Sequence, residues 1–309
     1  MKKLKHIILA AVSLMLLNIN LSAQKPGYKI YFSLRESPGQ NIKIMSYNGK
    51  SLNQYKIQNN RSSRGENQPS VSANGKFIGF NSYHFGGWKA AIADADGSGI
   101  RLVDKSGNYS FNPSFSSDGK TILFAQRANG RTGTRDIYTI GADGKGKKRL
   151  TKDLRNSYSA SFSPDDSKIV FVSSRDLHYE IYVMNADGSN HVNVSNHGNH
   201  DANPSWSPDG KQIAFMSIRE GTMDLFLVNA DGSNLRNLTK NPKAFTATAD
   251  SVDEMSYMYG TSWSPDGKSI VFVKQKEGLQ KLYVINADGT GLRELVSTKG
   301  QQFNPFWAE

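Results

Sequence analysis

The sequence predicts an all-β fold: a six-bladed β-propeller of four-stranded blades, closed by pairing the N- and C-terminal strands within one blade. Three observations predict it. An Ala-Asp-Gly turn recurs with its Asp at positions 96, 143, 187, 231 and 288. The first four are 44 to 47 residues apart, the spacing of a four-strand propeller repeat. A second turn, Pro-Asp-Gly in its cleanest form, precedes each one, and Asp-Gly between apolar runs is a strong hairpin signal because Gly accepts positive φ. The chain also ends on half of a repeat and begins on the remainder.

The cleanest copy spans 203–239. Strands are predicted at 203–207, 212–217 and 224–228, with a fourth leading to Leu238. The turns are Pro208-Asp209-Gly210 and Asn229-Ala230-Asp231-Gly232. Four other copies open at Gln68, Asn112, Ser159 and Gly260. The sixth is split. Gln302-Phe303-Asn304-Pro305-Phe306-Trp307 matches a first strand, while 29–33, 41–45 and 52–57 match the second, third and fourth. A lone blade cannot bury both faces, so copies must stack, and closing the ring removes the free sheet edges that template aggregation. Residues 24–309 are therefore expected to form a single domain.

Residues 1–23 are expected to lie outside that domain. Lys2, Lys3 and Lys5 precede an apolar run over 7–17, and Leu21-Ser22-Ala23 ends small. This is the pattern of a secretory signal peptide cleaved after Ala23, with a retained anchor as the alternative reading. It implies a periplasmic or secreted protein, and no later stretch is long and apolar enough to span a bilayer. Cys is absent, so packing alone must hold the fold. The net charge of +11 falls to +8 without the three leader lysines, a balance that favours solubility or contact with anionic glycans and headgroups. There is no nucleic-acid motif. A monomer without cofactor is expected, with an envelope protein or a glycan as partner.

The repeated signature, Ser-[Phe/Trp]-Ser-Pro-Asp-Gly-Lys, then Ile-x-Phe, [Asp/Glu]-[Ile/Leu]-[Tyr/Phe] and Asn-Ala-Asp-Gly-[Ser/Thr], resembles the WD-like propeller repeats of the TolB family. The resemblance covers nearly all of the mature chain. It implies a scaffold that binds other envelope components. Family members also carry an N-terminal α/β domain, for which no counterpart is expected between the leader and the first strand here.

Repetition within one chain separates scaffold from site. Val71, Phe115, Phe162, Trp206, Trp263 and Trp307 share one position and read as packing anchors between blades. Asp136, Glu180 and Asp224 share another. With Arg127, Arg175 and Arg219 they suggest Arg–carboxylate bridges within or between blades.

The near-identical turns lie on one face of the ring. Variable second-to-third-strand loops and blade connections lie on the other, and variable loops on a rigid scaffold are where binding groups concentrate. The channel mouth is expected to carry Gln68, Asn112, Ser159, Asn203, Gly260 and Asn304, a ring dominated by amides, which donate and accept hydrogen bonds or simply line a wet channel. Tyr109, Tyr158, Tyr257, Tyr259, His200 and Asp201 should sit just above. The outer loops add Tyr83, His84, Phe85, Trp88, Arg131, Arg135, His178 and Tyr179. An irregular insertion over 240–259 stands apart from the repeat, and long loops in compact domains are commonly functional. Within it, Asp250-Ser251-Val252 resembles a short O-glycosylation acceptor pattern of some Bacteroidetes.

No Gly-x-Ser-x-Gly elbow or His-Glu-x-x-His pair occurs. Propeller lyases that act on uronate oligosaccharides hold a metal with several His at the channel mouth. Here His200, with His178 or His197, could converge there, while His191 should point to the other face. The expected function is thus a non-enzymatic propeller binding a protein or glycan across the loop face. The alternative is a metal-assisted polysaccharide lyase or glycoside hydrolase of the cell envelope.

Overall fold

The computed structural model describes residues 28–129, 132–152, 155–240 and 259–308. The expected leader at 1–23, Arg131, Tyr257 and the body of the 240–259 insertion, including Asp250-Ser251-Val252, lie outside the described residues. Among those described, all regular structure is strand, in six four-stranded antiparallel sheets.

The split blade holds β1 (Lys29–Arg35), β2 (Lys43–Tyr47) and β3 (Leu52–Gln54). Blade 1 is β4 (Glu66–Val71), β5 (Phe77–Ser82), β6 (Lys89–Asp94) and β7 (Arg101–Leu102). Blade 2 is β8 (Ser110–Phe115), β9 (Thr121–Asn129), β10 (Thr132–Gly141) and β11 (Lys148–Arg149). Blade 3 is β12 (Ser157–Phe162), β13 (Lys168–Ser173), β14 (Glu180–Asn185) and β15 (Val192–Asn193). Blade 4 is β16 (Asp201–Trp206), β17 (Gln212–Ser217), β18 (Asp224–Asn229) and β19 (Arg236–Asn237). Blade 5 is β20 (Thr261–Trp263), β21 (Ser269–Lys276), β22 (Leu279–Asn286) and β23 (Arg293–Glu294), and β24 (Gln301–Ala308) returns to the split blade.

There β24 pairs antiparallel with β1, from Lys29↔Ala308 to Arg35↔Gln301, as the split repeat predicts. Boundaries in this blade differ from the sequence reading: the second strand runs on to Arg35 and the third to Tyr47. The third strand starts at Lys43 and not at 41, because the Ile42 N–H donates to Arg64 O across the blade junction (3.1 Å). The fourth stops at Gln54 because the chain beyond it turns to the next blade, where the Gln58 N–H donates to Gly97 O (2.8 Å).

Second strands form the middle of each sheet and are buried on both faces, which explains their continuous apolar runs. Phe32, Phe80, Phe124, Phe171, Phe215 and Phe272 occupy one equivalent position there and are buried. Each contributes roughly 1.5–3 kcal/mol through burial. The aromatic anchors of the inner strands behave as expected. Trp206 shares a buried cluster with Val170 and Val172 of the preceding blade, and its Nε1 donates to Ser161 O (3.3 Å).

The third-strand carboxylates are also scaffold, by a different bond from the one expected. Thr151 Oγ1 donates to Asp136 (3.1 Å), Ser195 Oγ to Glu180 (2.9 Å) and Thr239 Oγ1 to Asp224. Each hydroxyl also accepts the N–H of the residue after its carboxylate. The fourth strand is thereby latched to the third. Asp136 also meets an arginine, though it is Arg149 (2.7 Å) and not one of the three expected, and Arg219 pairs with Asp201 (2.8 Å).

On the turn face Asp118, Asp165, Asp209 and Asp266 each close an Asx turn. Asp165 accepts the Ser163 hydroxyl (2.6 Å) and the Ser167 N–H (3.1 Å). These bonds, the Ser163 hydroxyl foremost, pull its carboxyl from 3.8 down to about 2. A carboxylate favoured by the fold stabilises above its unfolded value and loses that contribution as pH falls through its folded value. The stability gap between the native protein and Asp165→Asn should therefore narrow between about pH 4 and pH 2 in urea titrations. A gap that stays constant over that range would contradict this assignment.

Candidate functional site

The amide ring lines the central channel, a cavity of ≈ 470 Å³. Its members hold an unusual backbone. Gln68, Asn112, Ser159, Asn203 and Asn304 all have φ between 49° and 55°. Each sits at a bulge where the inner strand slips register against its neighbour. Asn tolerates this left-handed conformation better than most residues. The Pro that follows four of them costs no ladder bond, because the inner strand's free edge faces the channel. Blade 5 has Gly260 instead, where a Cβ would stand 3.0 Å from Pro305 Cδ.

The amide side chains are engaged with one another and with the blades. Ser159 Oγ donates to Asn203 Oδ1 (3.1 Å), and Asn203 Nδ2 donates to the Tyr259 carbonyl. Ser33 Oγ donates to Asn304 Oδ1 (3.4 Å) and accepts the Gln68 N–H (3.1 Å). Asn81 Nδ2 donates to Gln68 Oε1, while its Oδ1 accepts the Asn112 N–H (2.8 Å). The belt joins blades around the channel, which gives these residues a structural role whatever else they contact.

Tyr158, Asp201 and Tyr259, expected just above the mouth, and Arg135, expected on an outer loop, are buried within the blades. Asp201 is fully covered in its bridge to Arg219. Tyr259 is 3% exposed, and burial pushes its hydroxyl up. Arg135 is 5% exposed, its guanidinium between the Phe111 and Tyr158 rings (5.6 and 5.0 Å).

The remaining candidates gather on the loop face in two groups. In the first, the Tyr83 and Trp88 rings meet edge to face at 5.5 Å. With Tyr109 they line a cavity of ≈ 560 Å³ between the split blade, blade 1 and blade 2. Arg35, Arg64 and Arg127 line it too, over an apolar floor of Ile42 and Phe111. Trp88 is half-buried and packs against the core. His84 stands beside this group, its Nδ1 accepting the Arg61 N–H (2.9 Å) and its ring against Phe85 (4.6 Å).

In the second group the His178 and His200 rings lie 5.6 Å apart, Tyr179 is 5.3 Å from His200, and Tyr158 is 5.7 Å from Tyr179. His200 Nδ1 accepts the Tyr179 N–H (3.1 Å). Burial, with the nearby His178, lowers the His200 pKa, which favours the neutral ring at neutral pH. Among the described residues no group of three or more His, Asp or Glu is placed to hold a metal ion. His191 lies at the turn end, its Nε2 2.9 Å from Gly188 O. At the tip of the blade 3 loop, Leu177 is 72% exposed with φ 76°. Phe111, Arg135 and Tyr158, all buried, pack in a row between the two groups.

Sequence reasoning missed Arg35, Arg64 and Asn67 and assigned Arg127 to a bridge. A spacing signal was present. Arg175 and Arg219 follow the central Phe of their blades by four residues, and each lies over its blade's aromatic pair (4.6–5.4 Å). Arg35, Tyr83 and Arg127 follow theirs by three, and strand alternation sends a side chain one residue earlier to the other side. In blade 2, Lys147 covers the Phe124–Tyr138 pair in place of an arginine.

Comparison with known proteins agrees with this architecture. The sequence model of the TolB beta propeller domain matches residues 129–243. No curated protein matches the chain. TolB from Acinetobacter baumannii is similar in structure, with TM-score 0.73 and 21% identity over 91% of this chain and 66% of that one. The chain thus spans just under two thirds of that protein's length. A protein provisionally named TolB from Agrobacterium tumefaciens superposes with TM-score 0.67 and 20% identity, covering 91% of this chain and 96% of that one. The oligogalacturonate lyase of Vibrio parahaemolyticus gives TM-score 0.55 and 14% identity over 85% and 78%. The fold is therefore a six-bladed, TolB-type propeller. Among the described residues no helix is long and apolar enough to cross a membrane.

Proposed function

We propose that this chain is an exported, non-enzymatic propeller scaffold that holds a protein partner or a glycan across its loop face, around the channel mouth. The observation that carries this reading is the contrast between the two faces. Turn-face Asp and Ser side chains repeat from blade to blade and are occupied by their own Asx turns. The loop face carries two unrepeated clusters of partly exposed aromatic and cationic groups, around Trp88 and around His178, the residue types that dominate binding hot spots. The similarity to TolB propellers supports a binding scaffold, and the leader at residues 1–23 supports a periplasmic or secreted address.

The test is capture from envelope extract and from a glycan panel by the immobilised mature protein. A loop-face variant, Leu177→Asp with His178→Ala, is expected to lower recovery at least tenfold, as loss of hot-spot residues does. A turn-face variant, Lys211→Glu with Lys268→Glu, should leave recovery unchanged. Equal recovery by both variants, or loss confined to the turn-face variant, would contradict the proposed face.

A further inference from the structure

We infer that the cavity between the split blade, blade 1 and blade 2 binds an acidic sugar, a hydroxylated ring bearing a carboxylate or a phosphate. This deepens the loop-face reading and rests on it. Arg35, Arg64 and Arg127 line one cavity of ≈ 560 Å³. Among the described residues none of the three forms an ion pair with an Asp or Glu. Their contacts are neutral ones: Arg35 lies over the Phe303 ring (5.9 Å), Arg64 over the Tyr83 ring (4.9 Å), and Arg127 donates to Gly133 O (3.2 Å), whereas Arg149 and Arg219 meet carboxylates. Three like charges around one space repel each other, and a bound anion relieves that repulsion. Guanidinium groups match carboxylate and phosphate oxygens in bidentate geometry.

The rest of the wall suits a sugar ring. Tyr83 and Trp88 present aromatic surface against which ring C–H groups can pack. Asn67 Oδ1 accepts from Asn81 Nδ2 (2.9 Å), which leaves the Asn67 NH₂ to donate to a ligand hydroxyl. The cavity falls within the range of about 300–1,000 Å³ typical of small-ligand sites. An acidic peptide would meet the same guanidinium groups and is the competitor to be separated.

The test is calorimetric titration of the full mature protein at low salt with four probes: a glucuronate disaccharide, glucose 6-phosphate, maltose and tetraglutamate. Binding is expected for one or both acidic sugars, weakening as salt rises, and at least tenfold weaker for maltose. The carboxylate and phosphate arms identify which anion is taken. Arg127→Gln and the more exposed Arg64→Gln should each weaken binding at least tenfold, while turn-face Lys268→Gln should not. Circular dichroism on each variant separates lost binding from a lost fold. No binding of either acidic sugar, maltose binding equally well, tetraglutamate binding tightest, or indifference to both Arg→Gln changes would overturn the inference. If the acidic sugars fail while loop-face capture survives, the ligand class is wrong and the scaffold reading stands. If they bind while loop-face variants leave capture unchanged, the scaffold reading fails and the anion site stands.

Discussion

Deleting residues 303–309 is expected to abolish cooperative unfolding and leave an aggregation-prone chain. The last strand supplies the inner strand of the split blade, paired to β1 along most of its length. It also ties that blade to blade 5. Gln302 Oε1 accepts the Leu282 N–H (2.8 Å), and the Trp307 N–H donates to Ser262 Oγ (3.0 Å). The deletion removes Phe303, 2% exposed, and Trp307, 5% exposed. Loss of a buried Phe or Trp side chain typically costs about 3–5 kcal/mol. Two such losses with the strand's ladder reach the order of the 5–15 kcal/mol that stabilises a whole domain. The bare edge of β1 would then be a template for pairing with other chains. Thermal unfolding followed by circular dichroism decides it: an unchanged transition in the truncated protein would show that the ring does not depend on this closure. A peptide of residues 301–309 supplied in trans should restore part of the transition.

Replacing Arg219 by Ala is expected to cost about 3–5 kcal/mol, the usual penalty for removing one partner of a buried ion pair. Arg219 and Asp201 side chains are 6% and 0% exposed and meet at 2.8 Å. Arg219 also lies over Phe215 and Phe226 and donates through Nε to Ser217 Oγ (3.0 Å). Burial raises the Asp201 pKa, and Arg219 is the first group opposing that rise. Without Arg219 the pKa rises further, opposed only by hydrogen bonds from Ser195 and Ser217. A carboxyl whose folded pKa is raised contributes stability at low pH that is lost as pH rises through it. The Arg219→Ala penalty should therefore be larger at neutral than at acid pH. Arg219→Met combined with Asp201→Asn should recover much of the loss, because no buried charge remains. Urea titrations of the three variants at two pH values test this, and a single-variant penalty below about 1 kcal/mol, the surface-pair range, would refute it.

The blade pattern was legible because its signals are local. Asp209-Gly210 and Asp231-Gly232 fix turns, and the run around Phe215 fixes a strand buried on both faces. Closure was legible because Gln302–Trp307 repeats an inner strand that the N-terminus lacks. The site was harder, since its logic is not local. Asn112 and Asn203 look like ligand-facing amides, yet a left-handed backbone at a bulge selects them first. Their recurrence before Pro113 and Pro204 was the available hint. Asp201 and Arg135 look like loop residues, but ring stacking and an ion pair draw them inside. Arg127 resembles Arg175 and Arg219 in composition and differs by one residue of spacing, which strand parity turns into a different environment. Arg64 lies in a blade connection with no repeat to compare against.

Amide hydrogen exchange, measured on the mature protein alone and with the component it captures from envelope extract, tests the loop-face claim most directly. Protection is predicted in the loops at 82–89 and 174–179 and in the blade 4 entry at 198–202. Protection confined to the turns around Asp96, Asp187 and Asp231, with those loops unchanged, would contradict it.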